Sequence, residues 1–216
     1  MKSINFKLYL WATLVISVLI WSLLLLVYQI KLEFSSAVFK QVPTVITLDL
    51  VIWSLFIKYG WKMKIFKGWL VQIPILQGTW RGELQSNWIN PDTKQTLPSI
   101  PILLVIRQSF LTINCTLYTA ESSSYSFVSS FLLDEETGTR RLIYFYTNKP
   151  RTLVRHRSEI HDGTAVFDIL GTPPANMIGE YWTSRGTSGE MRVEHISTKL
   201  AESFQAGVTF PKPHAT

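Results

Sequence analysis

The sequence predicts an N-terminal two-helix transmembrane hairpin followed by an all-β domain, an eight-stranded antiparallel up-and-down barrel. Three observations indicate this architecture. The first is a stretch without charged residues from Leu8 to Ile30. The second is a shorter apolar run at 41–57, which contains one carboxylate, Asp49. The third is a change at Gln77 to short β-branched and aromatic runs that are separated by turn residues.

The first uncharged stretch, 8–30, is interpreted as a transmembrane helix. At a rise of about 1.5 Å per residue it is long enough to cross a hydrocarbon core of about 30 Å. A secretory signal is the alternative, because Lys2 and Lys7 form a basic leader. However, the stretch is longer than the apolar region of a signal peptide, and no small-x-small cleavage site follows Ile30. We therefore expect the helix to stay in the chain.

The second run, 41–57, is about the shortest that can span a bilayer. Four lysines follow it between Lys58 and Lys67, and two precede the first helix. The positive-inside rule then predicts a multi-pass hairpin, residues 1–60, with both termini cytoplasmic. Residues 61–76 form a juxtamembrane linker that is predicted to lie along the membrane surface, with three large apolar side chains at helical spacing: Trp61, Ile65 and Trp69.

Asp49 is the anomaly in this second run, because a carboxylate at the centre of a membrane helix costs about 2.5–3.5 kcal/mol on insertion scales. Three interpretations stay open. The segment lies in the interface, or Asp49 is hydrogen-bonded within the hairpin, or several Asp49 carboxyl groups meet when protomers assemble. The last interpretation makes Asp49 a membrane and oligomerisation residue. The candidate partners within the hairpin are Thr44, Thr47, Ser17 and Ser22.

The net charge of +6 belongs to the membrane-flanking part of the chain. Up to Pro74 there are eight lysines and two acidic residues, whereas the remainder has thirteen basic and thirteen acidic residues. The β domain is therefore not a general polyanion binder, and we expect no DNA or RNA polymer as a partner. Nine of its thirteen basic residues are arginines, the side chain suited to planar phosphate contacts.

The β domain, residues 77–197, contains eight strand-like segments, from GTWRGELQS to GEMRVEHIS. Asn, Asp and Gly mark the turns between them. Short connections indicate antiparallel neighbours, and eight strands in succession favour a closed barrel over a two-sheet sandwich. Such a barrel has room inside for side chains or one small ligand. Residues 198–216 form a C-terminal tail that either docks as a last element or is mobile.

Nothing in the sequence points to an enzyme, a metal or a cofactor. The chain has no G-x-S-x-G, H-E-x-x-H, Walker or G-x-G-x-x-G motif. Its single cysteine, Cys115, excludes an intramolecular disulfide and a cysteine metal cluster. The four histidines are interpreted as solvated surface residues: His156, His161, His195 and His214.

A binding function is better supported. A ligand with flat bases and phosphates needs rings to stack on, hydroxyl donors and guanidinium groups. Strand alternation places aromatic and polar side chains on shared faces, and one such face runs into a glycine-containing turn. The alternative is that the tyrosines only pack the barrel while the arginines pair with Glu180, Glu190 or Asp168. The predicted ligand contacts are Trp80, Arg107, Tyr144, Tyr146, Tyr181, Thr183 and Arg185.

The order of these parts resembles the two-transmembrane β-barrel effectors of CBASS, the cyclic-oligonucleotide-based antiphage signalling systems of bacteria. Two membrane helices precede a β domain that opens with LQGTWRGEL and closes with GEYWTSRGTSGEMRVE. The resemblance covers residues 8–196. The tripeptide Gly78–Trp80 is also similar to the Gly-x-Trp strand of lipocalins, and these effectors are described as having a minimal lipocalin-like barrel.

The resemblance implies a sensor and an executioner in one chain. A cognate nucleotidyltransferase would supply a cyclic dinucleotide, which the cytoplasmic barrel would bind. Binding would promote homo-oligomerisation in the bacterial inner membrane, disruption of the lipid bilayer and abortive infection. No cofactor is implied.

Two other functions remain as alternatives. The first is a membrane-tethered, lipocalin-like carrier of an apolar ligand, which the aliphatic alternation from Leu111 to Leu117 would suit. The second is an enzyme that remodels lipid or peptidoglycan at the membrane.

Overall fold

The computed structural model describes residues 6–30, 36–90, 93–134 and 136–211. The chain divides into two units, a helical unit of residues 4–72 and a β unit that begins at Ile73.

The first helix, α1 (Phe6–Val27), ends before the uncharged stretch does. Gln29 takes a left-handed conformation with φ of 52°. The N–H of Ile30 donates to the carbonyl of Leu25 at 2.9 Å, and that of Gln29 donates to the carbonyl of Leu26 at 3.2 Å. This is the Schellman pattern, which satisfies the last carbonyl groups of a helix as it stops. Within the described part of the chain, α1 alone is long and apolar enough to cross a membrane, as judged by length and composition.

A short helix, α2 (Ser36–Phe39), precedes the second long helix, α3 (Val42–Lys58). A proline in the first turn of α3 suits a helix start, because its missing N–H has no partner there in any case. The 17 residues of α3 extend over about 25 Å, which is less than a hydrocarbon core of about 30 Å. The two-helix transmembrane hairpin is therefore confirmed only in part: both helices exist, and a membrane crossing by α3 stays a proposal.

The two long helices contact each other in an antiparallel sense. Ser17 Oγ of α1 donates to Asp49 Oδ2 of α3 at 2.6 Å. Nearer the start of α1, the rings of Tyr9 and Trp53 have centroids 5.8 Å apart. Asp49 thus bonds within the hairpin to one of its predicted partners, Ser17. Its second oxygen, Oδ1, is buried and has no hydrogen-bond partner within the described residues.

The linker after α3 does not form the continuous helix that its spacing indicates. It contains two 3₁₀ turns, Gly60–Lys62 and Lys64–Phe66. Trp61 is only 1% exposed, whereas Ile65 and Trp69 are exposed. Trp61 therefore does not share an exposed face with Ile65 and Trp69, because the 3₁₀ turns interrupt the helical period that would align the three side chains.

Eight antiparallel strands form the β unit. Each strand pairs with the next one along the chain, and β8 pairs with β1, so the sheet is a closed barrel. The predicted barrel is confirmed, and the predicted sandwich alternative is excluded. The strands are β1 (Gly78–Ser86), β2 (Ile100–Gln108), β3 (Ile113–Tyr118), β4 (Ser122–Asp134), β5 (Thr139–Pro150), β6 (His161–Leu170), β7 (Asn176–Thr183) and β8 (Ser188–Ser197).

The barrel interior is apolar at the end where β1 begins. Trp80 is fully buried there, and its indole Nε1 donates to the carbonyl of Leu76 at 2.9 Å. Inward-facing side chains of the other strands, such as Ile106, Phe167 and Met177, complete this packing. We call this end of the barrel the closed end.

The tail after β8 docks on the outside of the barrel. Thr79 Oγ1 donates to the carbonyl of Lys199 at 2.7 Å and accepts from the N–H of Ala201 at 3.0 Å. A short helix, α4 (Phe204–Val208), follows, and its Gly207 lies against Leu103. This docking explains why β2 is apolar on both faces: its outward residues Leu103 and Val105 are as buried as its inward ones. The end of the tail, 212–216, lies outside the described residues.

Candidate functional site

The barrel opens at its other end into a cavity of about 740 Å³. Strands β1, β3, β5 and β7 finish at this end, and four connections surround it: 87–99, 119–121, 151–160 and 184–187. A cavity of this size falls within the range of about 300–1,000 Å³ that is typical of small-molecule sites. The interior is therefore divided into a packed core and a chamber that can hold one ligand.

Three tyrosine rings form one wall of the chamber. Tyr144 and Tyr146 are two residues apart on β5, and their ring centroids are 5.8 Å apart. Tyr181 lies on β7. Two of these rings lie over glycines of neighbouring strands: a Cβ on Gly163 would come within 2.5 Å of the Tyr146 ring, and one on Gly189 within 2.7 Å of Tyr181. The glycines thus leave the space that the Tyr146 and Tyr181 rings occupy.

The phenol groups of these rings remain protonated at neutral pH. Burial raises the pKa of Tyr144 well above its ordinary value, and it also raises the pKa of Tyr146. The pKa of Tyr181 is likewise raised by burial, although a hydrogen bond with Ser86 opposes the shift. The wall therefore offers neutral rings for stacking and hydroxyl groups that can donate to a ligand oxygen.

Short polar side chains continue the lining towards the opening. Ser124 Oγ donates to Asn148 Oδ1 at 3.0 Å, and both residues are buried. At the end of β7, the hydroxyl groups of Thr183 and Thr187 are 2.7 Å apart. Below them the wall is aliphatic, with Leu84, Leu117 and Met191.

Two arginines lie at the mouth of the cavity. Arg157 Nη2 forms an ion pair with Glu121 Oε1 at 2.5 Å. Arg185 Nη1 donates to the hydroxyl group of Ser158 at 3.3 Å. Ser158 directly follows Arg157, so both guanidinium groups contact or belong to the 151–160 connection. They provide positive charge where an anionic ligand would enter.

His161 also lines the mouth and carries a defined tautomer. Its Nδ1 lies 2.8 Å from the carbonyl of Glu159, and since a carbonyl only accepts, Nδ1 carries the hydrogen. Partial burial lowers the pKa of His161, and the charge of Arg185 lowers it further, although the Glu159 carbonyl and Asp162 act in the other direction. The interpretation of His161 and His195 as solvated surface residues is wrong. His195 is half-buried at the closed end, with its ring centroid 5.0 Å from that of Trp80.

Five of the seven predicted ligand contacts line the cavity, and two do not. Trp80 faces inward but belongs to the core of the closed end. Arg107 is exposed on the outer wall, because the even-numbered residues of β2 point inward. Whether the remaining five contact a ligand stays a prediction. They are Tyr144, Tyr146, Tyr181, Thr183 and Arg185.

Sequence reasoning missed several lining residues. Asn148 continues the alternation of Tyr144 and Tyr146, so the strand period itself was a usable signal. Arg157 and Glu121 lie in connections, where charged residues are usually solvated, and no local pattern distinguishes them.

Cys115 lies in the packed core of the barrel and is not among the residues that line the cavity. Burial raises the pKa of the Cys115 thiol to about 12, so it is not a nucleophile at neutral pH. Within the described residues no group of three or more histidine, cysteine or acidic side chains is placed to hold a metal ion.

Comparison with known proteins adds to this geometry. Residues 71–195 match the family described as the Cap15 cyclic dinucleotide receptor domain. The chain belongs to this family. The match covers the whole barrel except the last two residues of β8, and so includes every side chain that lines the cavity. The CD-NTase-associated protein 15 of Staphylococcus schleiferi is 27% identical over 139 residues, which cover 64% of this chain and 70% of that protein.

Proposed function

We propose that this protein is a membrane-bound effector whose barrel binds a cyclic dinucleotide in the cavity. The proposal is carried by one observation: a chamber lined by tyrosine rings and bordered by two arginines lies within the segment that matches a cyclic dinucleotide receptor family. The rings can stack on the bases, while the phenols and guanidinium groups can bind phosphate oxygens. A receptor function is favoured over catalysis.

We further infer that a nucleotidyltransferase supplies the ligand and that binding promotes homo-oligomerisation and disruption of the bacterial inner membrane. α1 provides an anchor, and the lysines that flank α1 and α3 favour a cytoplasmic barrel and cytoplasmic termini. Ligand can drive assembly only if it prefers the assembled form. To shift the ratio of assembled to unassembled protein from 1:99 to 99:1, the ligand must bind the assembled form more tightly by about 5.5 kcal/mol.

The test is ligand binding by the full chain in detergent micelles. A panel of cyclic dinucleotides that covers the four bases and both phosphodiester linkages would be titrated, and the melting temperature and heat of binding recorded. Saturable stabilisation by at least one of them is expected. Cross-linking before and after addition of that ligand, in vesicles that contain the protein and a trapped dye, then measures assembly and leakage.

An apolar ligand is the second candidate, because the lower wall of the cavity is aliphatic at Leu84, Leu117 and Met191. A carrier of this kind would bind fatty acids. The same titration therefore includes fatty acids of increasing chain length. Stabilisation by a fatty acid, with none by any cyclic dinucleotide, would replace the receptor proposal with the carrier.

A further inference from the structure

The connection between β5 and β6, residues 151–160, forms part of the cavity mouth, and we call it the mouth loop. Val154, Arg157 and Ser158 of this loop line the cavity. The loop is bonded to both neighbouring turns around the rim. On one side Arg157 pairs with Glu121 of the β3–β4 turn, and on the other Ser158 accepts from Arg185 of the β7–β8 turn.

The pair of Arg157 and Glu121 differs from the other ion pair found within the described residues. Arg141 and Asp168 pair at 2.6 Å across β5 and β6, on the outer wall of the barrel. Arg157 and Glu121 are both cavity-lining residues. Each of their side chains is nevertheless 58% exposed, so the pair is accessible to water and to an entering ligand. A pair of this exposure contributes little to stability.

The second guanidinium group at the mouth has a weaker bond. Arg185 donates to the neutral hydroxyl group of Ser158 at 3.3 Å. Arg157, by contrast, forms an ion pair with the Glu121 carboxylate. The mouth therefore has two cations of which one is neutralised by the protein itself.

We propose that Glu121 occupies the position on Arg157 that a phosphate group of the ligand takes when it binds. This inference rests on the proposed function and assigns the regulation of that same cavity. A ligand phosphate bridges Arg157 and Arg185, and the Glu121 carboxylate turns into water. The mouth loop thus exchanges an internal ion pair for a bond to the ligand.

The exchange is energetically reasonable. A guanidinium group binds a phosphate through parallel, charge-assisted hydrogen bonds, and a ligand that covers the mouth excludes water from them. The displaced Glu121 loses only an exposed ion pair, whose contribution is small. Glu121 also lowers the affinity for every anion that lacks a second contact deeper in the cavity, so the pair selects against free phosphate.

The exchange also gives the ligand a way to change the protein surface. After Glu121 leaves, the ion pair between the outer part of the mouth loop and the β3–β4 turn is lost, while Arg151 Nη1 at the base of the loop still donates to the carbonyl of Ala120 at 3.4 Å. The backbone bond from the N–H of Arg151 to the carbonyl of Glu121, at 2.8 Å, keeps the base of the loop in place. The movement is therefore confined to the part of the loop beyond Arg151.

The experiment compares Glu121→Gln and Arg157→Gln in the full chain, with the cyclic dinucleotide from the panel that binds most tightly. Glu121→Gln is expected to tighten binding by about two- to fivefold, the equivalent of an exposed ion pair that no longer has to be broken. Arg157→Gln is expected to weaken binding by about tenfold or more, because a charge-assisted contact is lost. The double variant should bind like Arg157→Gln alone.

Asp168→Asn and Arg141→Gln are the matched controls. They break an ion pair of similar length and exposure on the outer wall and change the net charge by the same amounts. Both are expected to bind the ligand as the unaltered protein does, within about twofold. Equal effects of Asp168→Asn and Glu121→Gln would mean that net charge alone is responsible, and would overturn the proposal.

The outcomes separate this inference from the proposed function. If the unaltered protein binds a cyclic dinucleotide but Glu121→Gln weakens binding or leaves it unchanged, Glu121 is a structural clamp and the exchange is wrong. If Arg157→Gln binds normally, Arg157 is not a phosphate ligand, and the inference fails while the receptor function stands. If no member of the panel binds the unaltered protein, the proposed function itself fails, and the exchange with it.

Discussion

At the scale of single residues, glycines decide where the aromatic wall of the cavity lies. Tyr146 pairs with Gly163 across β5 and β6, and Tyr181 pairs with Gly189 across β7 and β8. Any larger residue at the two glycines would push these rings into the chamber or away from it. The positions of the rings available for stacking on a base would then change.

Gly163→Ala tests this arrangement. The new Cβ would lie 2.5 Å from the Tyr146 ring and 2.8 Å from the carbonyl of Trp182, so we expect a loss of about 1–3 kcal/mol in the free energy of unfolding. Binding of the cyclic dinucleotide should weaken as well.

Gly138→Ala is the control, because its Cβ would meet nothing within 4 Å and its φ of +68° adds strain far from the cavity. Urea denaturation and titration calorimetry measure the two effects. Normal binding by Gly163→Ala would show that the Tyr146 ring is not a ligand contact.

Asp49 joins the two long helices through its hydrogen bond with Ser17. With Oδ2 bonded to Ser17, the carboxyl group has one buried oxygen, Oδ1, that lacks a partner within the described residues. Leaving a buried polar atom unsatisfied costs free energy, and a second protomer could supply the missing donor.

We predict that Asp49→Leu leaves cyclic dinucleotide binding by the barrel unchanged but weakens ligand-induced leakage of dye from vesicles. Asp49→Asn is the matched variant, since its side-chain oxygen can still accept from Ser17 and it should retain more leakage than Asp49→Leu. Undiminished leakage with Asp49→Leu would remove Asp49 from the mechanism.

At the scale of elements, the docked tail covers the outer face of β1 and β2. Arg81 holds it through one guanidinium nitrogen, Nη2, which donates to the carbonyls of Gly207, Val208 and Phe210 at 3.0, 3.0 and 2.7 Å. These carbonyls come from the end of α4, where the last groups of a helix need external partners.

Arg81→Met should therefore loosen the tail without opening the barrel. We expect the free energy of unfolding to fall by about 1.5–3 kcal/mol, the range for hydrogen bonds from a charged donor. The amides of residues 199–210 should also exchange faster with deuterated water, and those of β5 and β6 should not. Arg140→Met is the control, because Arg140 donates instead to Gly171 and Thr172 in another turn. Unchanged exchange in the tail of Arg81→Met would show that Thr79 and Leu103 hold it alone.

At the scale of the whole molecule, two half-buried histidines at opposite ends of the barrel connect stability with pH. Burial lowers the pKa of both His161 and His195 below the ordinary value of about 6.5. As the pH falls, these histidines therefore become protonated in the unfolded chain at a higher pH than in the folded chain. Their contribution to stability is fully present above about pH 6.5 and is lost as the pH falls through the folded pKa.

Ligand should affect only one of these histidines. His161 lines the cavity mouth, and an anionic ligand there favours its protonated form, whereas His195 packs against Trp80 at the closed end. We predict that cyclic dinucleotide binding tightens as the pH falls from 7.5 to 5.5, and that His161→Gln flattens this dependence. His195→Gln should reduce the loss of unfolding free energy at low pH and leave the pH dependence of ligand binding unchanged. Titrations and urea denaturation at several pH values measure both. If the pH dependence of binding persists in His161→Gln, a group other than His161 is responsible for it.

Much of this architecture follows from the sequence itself. Periods of two, turn residues and short connections determine eight antiparallel strands, because alternation and hairpin chemistry are local properties. The uncharged stretch of α1 is equally local, and strand alternation placed Tyr144, Tyr146, Tyr181 and Thr183 on the inner face. The same rule did not separate Trp80 from the cavity, since it gives the face of a strand but not the depth along the barrel.

The tertiary structure decided what depends on distant segments. Closure of β8 onto β1 encloses the interior, large inward side chains fill one end of it and leave a chamber at the other, and the docked tail buries the outer face of β2. Arg157 and Glu121 are 36 residues apart and meet only because the mouth loop and the β3–β4 turn are neighbours around the rim. No local period encodes such a meeting, because ion pairing between loops is set by the course of the whole chain.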